Sequence, residues 1–97
     1  MIKLEFQWDK RKATTNKNKH GVTFEEAKST FFDENARLIS DPDHSSSEER
    51  FILLGFSAFS KLLVVCHCYR ESESVIRIFS ARKATKSESK QYSELKL

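Results

Sequence analysis

Arginines stand at positions 70, 77 and 82, with His67 just ahead of them and Glu49 upstream. These are the residue types that hold a phosphate ester and move a proton. A guanidinium offers an anion a planar fork of donors, and a histidine of ordinary pKa, near ~6.5, gives or takes a proton at neutral pH. The register of two strands decides which of them meet. If Glu71–Ser74 is a two- or four-residue hairpin loop, Arg70 lies opposite Val75 and Cys68 opposite Arg77. Arg70 and Arg77 then share one face, continued inward by Cys66 and Phe79. His67, Ile78, Ser80 and Arg82 fall on the other. A three-residue loop or a bulge breaks this sorting. Two arginines side by side repel unless an anion or an acid stands between them. They therefore read as a phosphate-binding pair, or as partners of Glu71, Glu73 or Glu49. His67 is either an acid–base group or a half-buried ring satisfied by a backbone carbonyl. Glu49 either forms a surface ion pair with Arg50 or orients a catalytic arginine.

The elements that must position these residues follow from hydrophobic period and capping. Ile2, Leu4, Phe6 and Trp8 alternate with polar residues, which predicts a half-buried strand. Asp9 caps a polar helix over residues 10–20, ended by Gly21. Thr23 and Glu26 have capping-box spacing for a second helix, with Val22 stapled onto Ala27 and with Phe24, Ala27, Phe31 and, less centrally, Phe32 on the buried face. Residues 36–40 read as a short strand closed by the turn Asp41-Pro42-Asp43, and a polar loop containing His44 follows. Phe51–Phe56, Lys61–Arg70 and Val75–Arg82 read as a β-meander. Thr85 and Glu88 repeat the capping-box spacing for a last helix, with Tyr92 and Leu95 on its apolar stripe. The order β-α-α-β-β-β-β-α predicts an α+β fold with a mostly antiparallel five-stranded sheet. Helices are expected on one face, leaving the other open to a ligand.

Composition narrows the function classes. The 97 residues suit a single domain over 1–97, and 2 Gly with 1 Pro exclude a linker or low-complexity chain. Residues 1–22 carry six Lys/Arg against two acids, residues 23–60 three against eight, and residues 61–97 eight against four. Ends that meet in space would make a basic surface suited to a polyanion such as nucleic acid; the alternative is a mixed-sign surface with no partner. The N-terminus shows no signal-peptide pattern, and no apolar run is long enough to span a bilayer. Cys66 and Cys68 read as buried thiols of a reducing, cytoplasmic compartment. His20, His44 and His67 show no metal-ligand spacing, and no carboxylate cluster suits Mg²⁺. No metal or cofactor is expected. Lys10, Arg11, Lys12, Lys17 and Lys19 make a basic helix, which guides RNA or a protein partner or is merely a solvated face. His20 closes that helix, where a cation suits the dipole. Trp8 and Tyr69 stack on bases or belong to the core and rim.

Four blocks carry a resemblance to a known family. FQWD (Phe6–Asp9), NKNKHGVTFEEA (Asn16–Ala27), DPDHSSSEER (Asp41–Arg50) and RIFSARKAT (Arg77–Thr85) together resemble the BrnT family of type II toxin–antitoxin ribonucleases. The resemblance implies a RelE-like fold and endoribonuclease activity that inhibits translation and growth. It also implies a BrnA-type antitoxin of the ribbon-helix-helix kind, with DNA reached only through that antitoxin. Metal-independent RNA cleavage makes the 2′-hydroxyl the nucleophile, so it needs a base, an acid and cations for the phosphorane. The candidates for that chemistry are Arg77, Arg70, His67, Glu49 and Arg82. The candidates for RNA binding are Lys19, His20, Lys61 and Tyr69. One departure stands out: the turn before the fourth strand usually carries Gly-Arg in the family and here carries Ser60-Lys61, and Lys lacks the planar fork of Arg. The alternative function is a non-catalytic RNA- or antitoxin-binding domain acting in promoter autorepression.

Overall fold

In the computed structural model the described residues are 4–41, 49–70 and 74–94. They form β1 (Glu5–Gln7), α1 (Lys10–His20), α2 (Phe24–Ser29), a 3-10 turn (Thr30–Phe32), β2 (Arg37–Ser40), β3 (Phe51–Phe56), β4 (Leu62–Arg70), β5 (Val75–Lys83) and α3 (Lys86–Glu94). The sheet order is β1-β5-β4-β3-β2. The three pairings from β2 to β5 are antiparallel, and β1 runs parallel to β5 at the edge, so the sheet is mixed. Among the described residues of the expected first strand, Glu5–Gln7 pair. Trp8 has left the strand and packs edge-on against Phe24 at 5.9 Å.

The caps expected from the sequence form. The Asp9 carboxylate accepts from the backbone N–H groups of Arg11 (2.8 Å) and Lys12 (3.2 Å), and Gly21 ends α1 in the left-handed region at φ 70. Thr23 Oγ1 accepts from the Glu26 N–H. The Glu26 carboxylate does not return the bond but accepts instead from the buried Ser57 hydroxyl at 2.7 Å. Thr85 and Glu88 cap reciprocally.

The helices do not share one face, contrary to expectation. Leu53, Leu63, Val65, Ile76, Ile78 and Ala81 bury against Val22, Phe24 and Ala27 on one side. The alternate residues Leu54 and Val64 pack against Tyr92 of α3 on the other. Period-two alternation on β3 and β4 thus supplies apolar residues to both faces. Tyr92 is anchored there because its hydroxyl donates to Asp33 Oδ2 at 2.7 Å, an oxygen that also accepts from the Phe56 N–H. The segment carrying Asp33 crosses close over β3. A Cβ at Gly55 would stand 3.1 Å from Ala36 Cβ and 3.2 Å from the Thr30 carbonyl, so a side chain there would press the crossing segment outward by a few tenths of an ångström.

Helix α1 lies along the edge of β5 where β1 has ended. Asn16 is buried there and behaves as a piece of strand backbone. Its Nδ2 donates to the carbonyls of Ala81 (2.8 Å) and Val22 (3.0 Å), and its Oδ1 accepts from the Ala81 N–H (3.0 Å). Both edge groups of Ala81 are thereby satisfied, and the basic helix is fixed beside the sheet.

Candidate functional site

A β-bulge sets the site. The hairpin register is the expected one, with Arg70 opposite Val75 and Cys68 opposite Arg77. Further along, His67 pairs with Ile78 while Cys66 pairs with Ser80, so Phe79 is the extra residue. Core residues on β5 accordingly switch from even (Ile76, Ile78) to odd (Ala81). Ser80 and Arg82 therefore lie on the Cys66 face, not on the His67 face that an unbroken strand would give them.

Beyond the bulge, beside α3, is an open cleft of about 430 Å³. It is lined by the cations Lys12, Arg50 and Arg82, with Phe79, Cys66 and Asp41 among its other walls. The Arg50 guanidinium lies 4.2 Å from the Phe79 ring centroid and Lys12 Nζ 5.3 Å from it. Such cation–ring contacts contribute about 0.5–1 kcal/mol at exposed sites and hold both side chains over one aromatic platform. Arg82 is held differently: its two terminal nitrogens donate to the two carboxylate oxygens of Glu88, each at 2.8 Å. The Arg82 guanidinium holds Glu88 down to about 2, and Glu88 in turn raises Arg82. Glu88 is thus ionised at neutral pH and fixes its arginine as a planar fork. Burial pushes the half-buried Cys66 thiol up, with Asp41 adding to the effect, so this thiol stays protonated at neutral pH.

A second cleft, of about 380 Å³, runs between α1 and β5. Arg11, Thr15, Lys19 and His20 line it, and it shares Lys12, Phe79 and Ser80 with the first. The two clefts adjoin across these shared residues, and both are lined by cations.

The sequence-predicted residues separate on this framework. Arg82 lines the first cleft, and Lys19 and His20 line the second. Arg77 is half-buried on the face of Cys66 and Cys68, beyond Phe79. Arg70 is exposed at the hairpin end, Glu49 is exposed beside Arg50, and Lys61 is exposed in the β3–β4 turn. None of these four lines either cleft. His67 lies on the opposite face with no exposed surface, a placement that favours the core alternative of its two expected readings. Its Nδ1 is 3.2 Å from the Val65 carbonyl and its Nε2 3.3 Å from the Tyr69 hydroxyl. Phe31 packs edge-on at 4.8 Å, and burial lowers the ring to about 4. Tyr69 packs against the same core and against Phe51 at 5.3 Å, so it is a poor platform for a base. His44, Glu71 and Glu73 lie outside the described residues. Sequence reasoning missed Arg50 and Asp41 as cleft residues, although both stand in the block Asp41–Arg50.

Among the described residues no group of three or more His, Cys, Asp or Glu side chains gathers as a metal site, and no helix is long and apolar enough to cross a membrane. Residues 8–88 match the family model described as "Ribonuclease toxin, BrnT, of type II toxin-antitoxin system". The crystal structure of the Brucella abortus ribonuclease toxin BrnT superposes with a TM-score of 0.64 at 20% identity, covering 86% of this chain and 99% of that one. At that identity the likeness speaks for the fold. No curated protein matches the chain.

Proposed function

From the chain's membership of the BrnT family of type II toxin–antitoxin ribonucleases, we propose that its cleft between Arg50 and Arg82 cleaves RNA without a metal ion. The observation that carries this reading is the trio Lys12, Arg50 and Arg82 around Phe79. Three cations stand where a transferring phosphate needs its charge met. Two are pre-aligned, Arg50 by a ring and Arg82 by a carboxylate.

In the proposed reaction the ribose 2′-oxygen attacks the adjacent phosphorus and the bond to the 5′-oxygen breaks. The 2′-hydroxyl proton goes to a base, and an acid returns one to the leaving oxygen. Asp41 is the carboxylate that lines the cleft among the described residues, and we assign it the base role. Arg77 flanks the cleft on the same face and guides the strand. Arg70, Glu49 and Lys61 become outlying groups that act on RNA, if at all, through the long-range field. Growth inhibition through loss of translatable RNA, and neutralisation by a BrnA-like antitoxin, belong to the same proposal.

The test is incubation of the purified protein with single-stranded RNA, with EDTA and without, followed by end analysis. Cleavage that survives EDTA and leaves 2′,3′-cyclic phosphate ends is the expected result. Products bearing only 3′-hydroxyl ends rule this mechanism out. A mobility shift with no cleavage selects a binding domain.

A further inference from the structure

The α1 side of the second cleft has a composition that helix stability does not explain. Its eleven residues, KRKATTNKNKH, contain no acid. Lys10, Arg11 and Lys12 crowd the first turn, where the dipole disfavours cations, and no acid within the helix offers an i,i+4 partner. Asp9 offsets part of this through its two cap bonds. The helix cannot turn these cations elsewhere, because Asn16 is locked to the β5 backbone. That lock points Arg11, Lys12, Thr15 and Lys19 into the cleft shared with Phe79 and Ser80.

We propose that the α1–β5 cleft is a subsite for single-stranded RNA. It takes the sugar–phosphate backbone of nucleotides on one side of the phosphate held between Arg50 and Arg82. The position of that phosphate rests on the ribonuclease reading, but the affinity of the cleft for a strand does not. A basic groove with one aromatic wall is the arrangement that tracks single strands without reading their sequence. Adjacency favours RNA over an acidic protein segment: Phe79 and Ser80 wall both clefts, so a strand leaving the first passes directly to the second.

The experiment measures binding of a fluorescent, single-stranded 2′-O-methyl octaribonucleotide, which offers no 2′-hydroxyl for attack, as a function of salt. Arg11 and Lys19 are exposed and line only the α1 cleft, and alanine is the better helix former. The variant Arg11→Ala/Lys19→Ala should lower the salt slope of log K by roughly 1.4, at about 0.7 per phosphate contact on a single strand. Arg11→Gln/Lys19→Gln should do the same, and circular dichroism checks that both stay folded. An unchanged slope overturns the proposal, as does failure of the wild-type protein to bind the octamer. Loss of antitoxin binding at unchanged RNA slope marks the cleft as a protein interface instead. Slope loss in a protein that cleaves no RNA keeps this subsite and sinks the ribonuclease reading.

Discussion

The Arg50 guanidinium stands 4.2 Å from the centroid of the Phe79 ring. The contact joins the entrance of β3 to the residue that the β5 bulge sets apart. It makes the planarity of Arg50 matter as well as its charge. Arg50→Lys keeps the charge but loses both the flat stack and the donor fork. Cleavage by Arg50→Lys should therefore fall by roughly 10²-fold, close to the loss from Arg50→Ala, as for removal of one preorganised charge donor. Steady-state cleavage of a fluorogenic RNA checks this, and near wild-type turnover in Arg50→Lys would show that Phe79 orients nothing.

Arg82 and Glu88 form the second aligned pair. Arg82→Ala should cost roughly 10²-fold in kcat/KM with the fold retained. Glu88→Gln keeps an acceptor for the Thr85 N–H but loses the charge-assisted fork. It should cost less, about tenfold, mostly in kcat, because Arg82 is still present but no longer held. A rise in turnover instead would mean that Glu88 masks Arg82 and does not position it.

Much of the fold was legible and the site only partly so, for one physical reason. Caps and turns leave local marks. Asp9, Gly21, Thr23 and Thr85 each announced a helix end that the structure shows, and the hairpin register of Arg70 and Val75 followed from loop length. A bulge leaves no such mark, since Phe79 looks like any strand residue. Yet that one extra residue moves Ser80 and Arg82 to the opposite face. The Tyr92 stripe showed that α3 docks, but its choice of face depends on Asp33, 59 positions away in sequence. His67 invited a catalytic reading because its type suits one. Its burial is set by Phe31 and Tyr69, contacts that spacing alone does not reveal.

The buried His67 gives the fold a pH dependence of known sign. Its pKa is about 4 in the folded chain against an ordinary 6.5, so between those values the unfolded chain binds more protons. Stability is full above about pH 6.5 and is lost as pH falls towards 4, by about 3 kcal/mol in total. Glu88 loses its contribution only below its ordinary value of 4.5, so His67 acts ahead of Glu88 between pH 6.5 and 4.5. Melting curves across that window should slope in wild type and flatten in His67→Phe. An equal slope in both would assign the effect elsewhere.

Ser60 has a backbone φ of 60, the left-handed region that disfavours a side chain. The glycine that the family resemblance leads one to expect at this turn suits that conformation. Ser60→Gly removes a conformational cost on the order of 1 kcal/mol, partly offset by glycine's greater freedom in the unfolded chain. The net expectation is a small gain in melting temperature with cleavage unchanged, because Ser60 lines neither cleft. A lower melting temperature would mean that the serine makes a compensating contact in the turn.

Family membership implies a protein antitoxin, and the basic clefts limit how it can inhibit. Expression of the chain alone should arrest bacterial growth, and the cognate antitoxin should restore it. If inhibition is by occlusion, the antitoxin must cover Lys12, Arg50 and Arg82, a cationic patch that an acidic surface complements. The covering segment should therefore carry Asp or Glu, and its binding should weaken steeply with salt. Hydrogen exchange of the complex should then slow at the start of β3 and around Phe79–Arg82. The β2 edge, with Leu38 and Ile39 exposed, is the competing dock, since β2 ends the sheet among the described residues and could accept an added strand. Protection confined to Arg37–Ser40 would place the antitoxin at that edge, across the sheet from β5. Inhibition would then have to reach the cleft through a change in β3 and Arg50, and RNA and antitoxin would bind together rather than exclude each other.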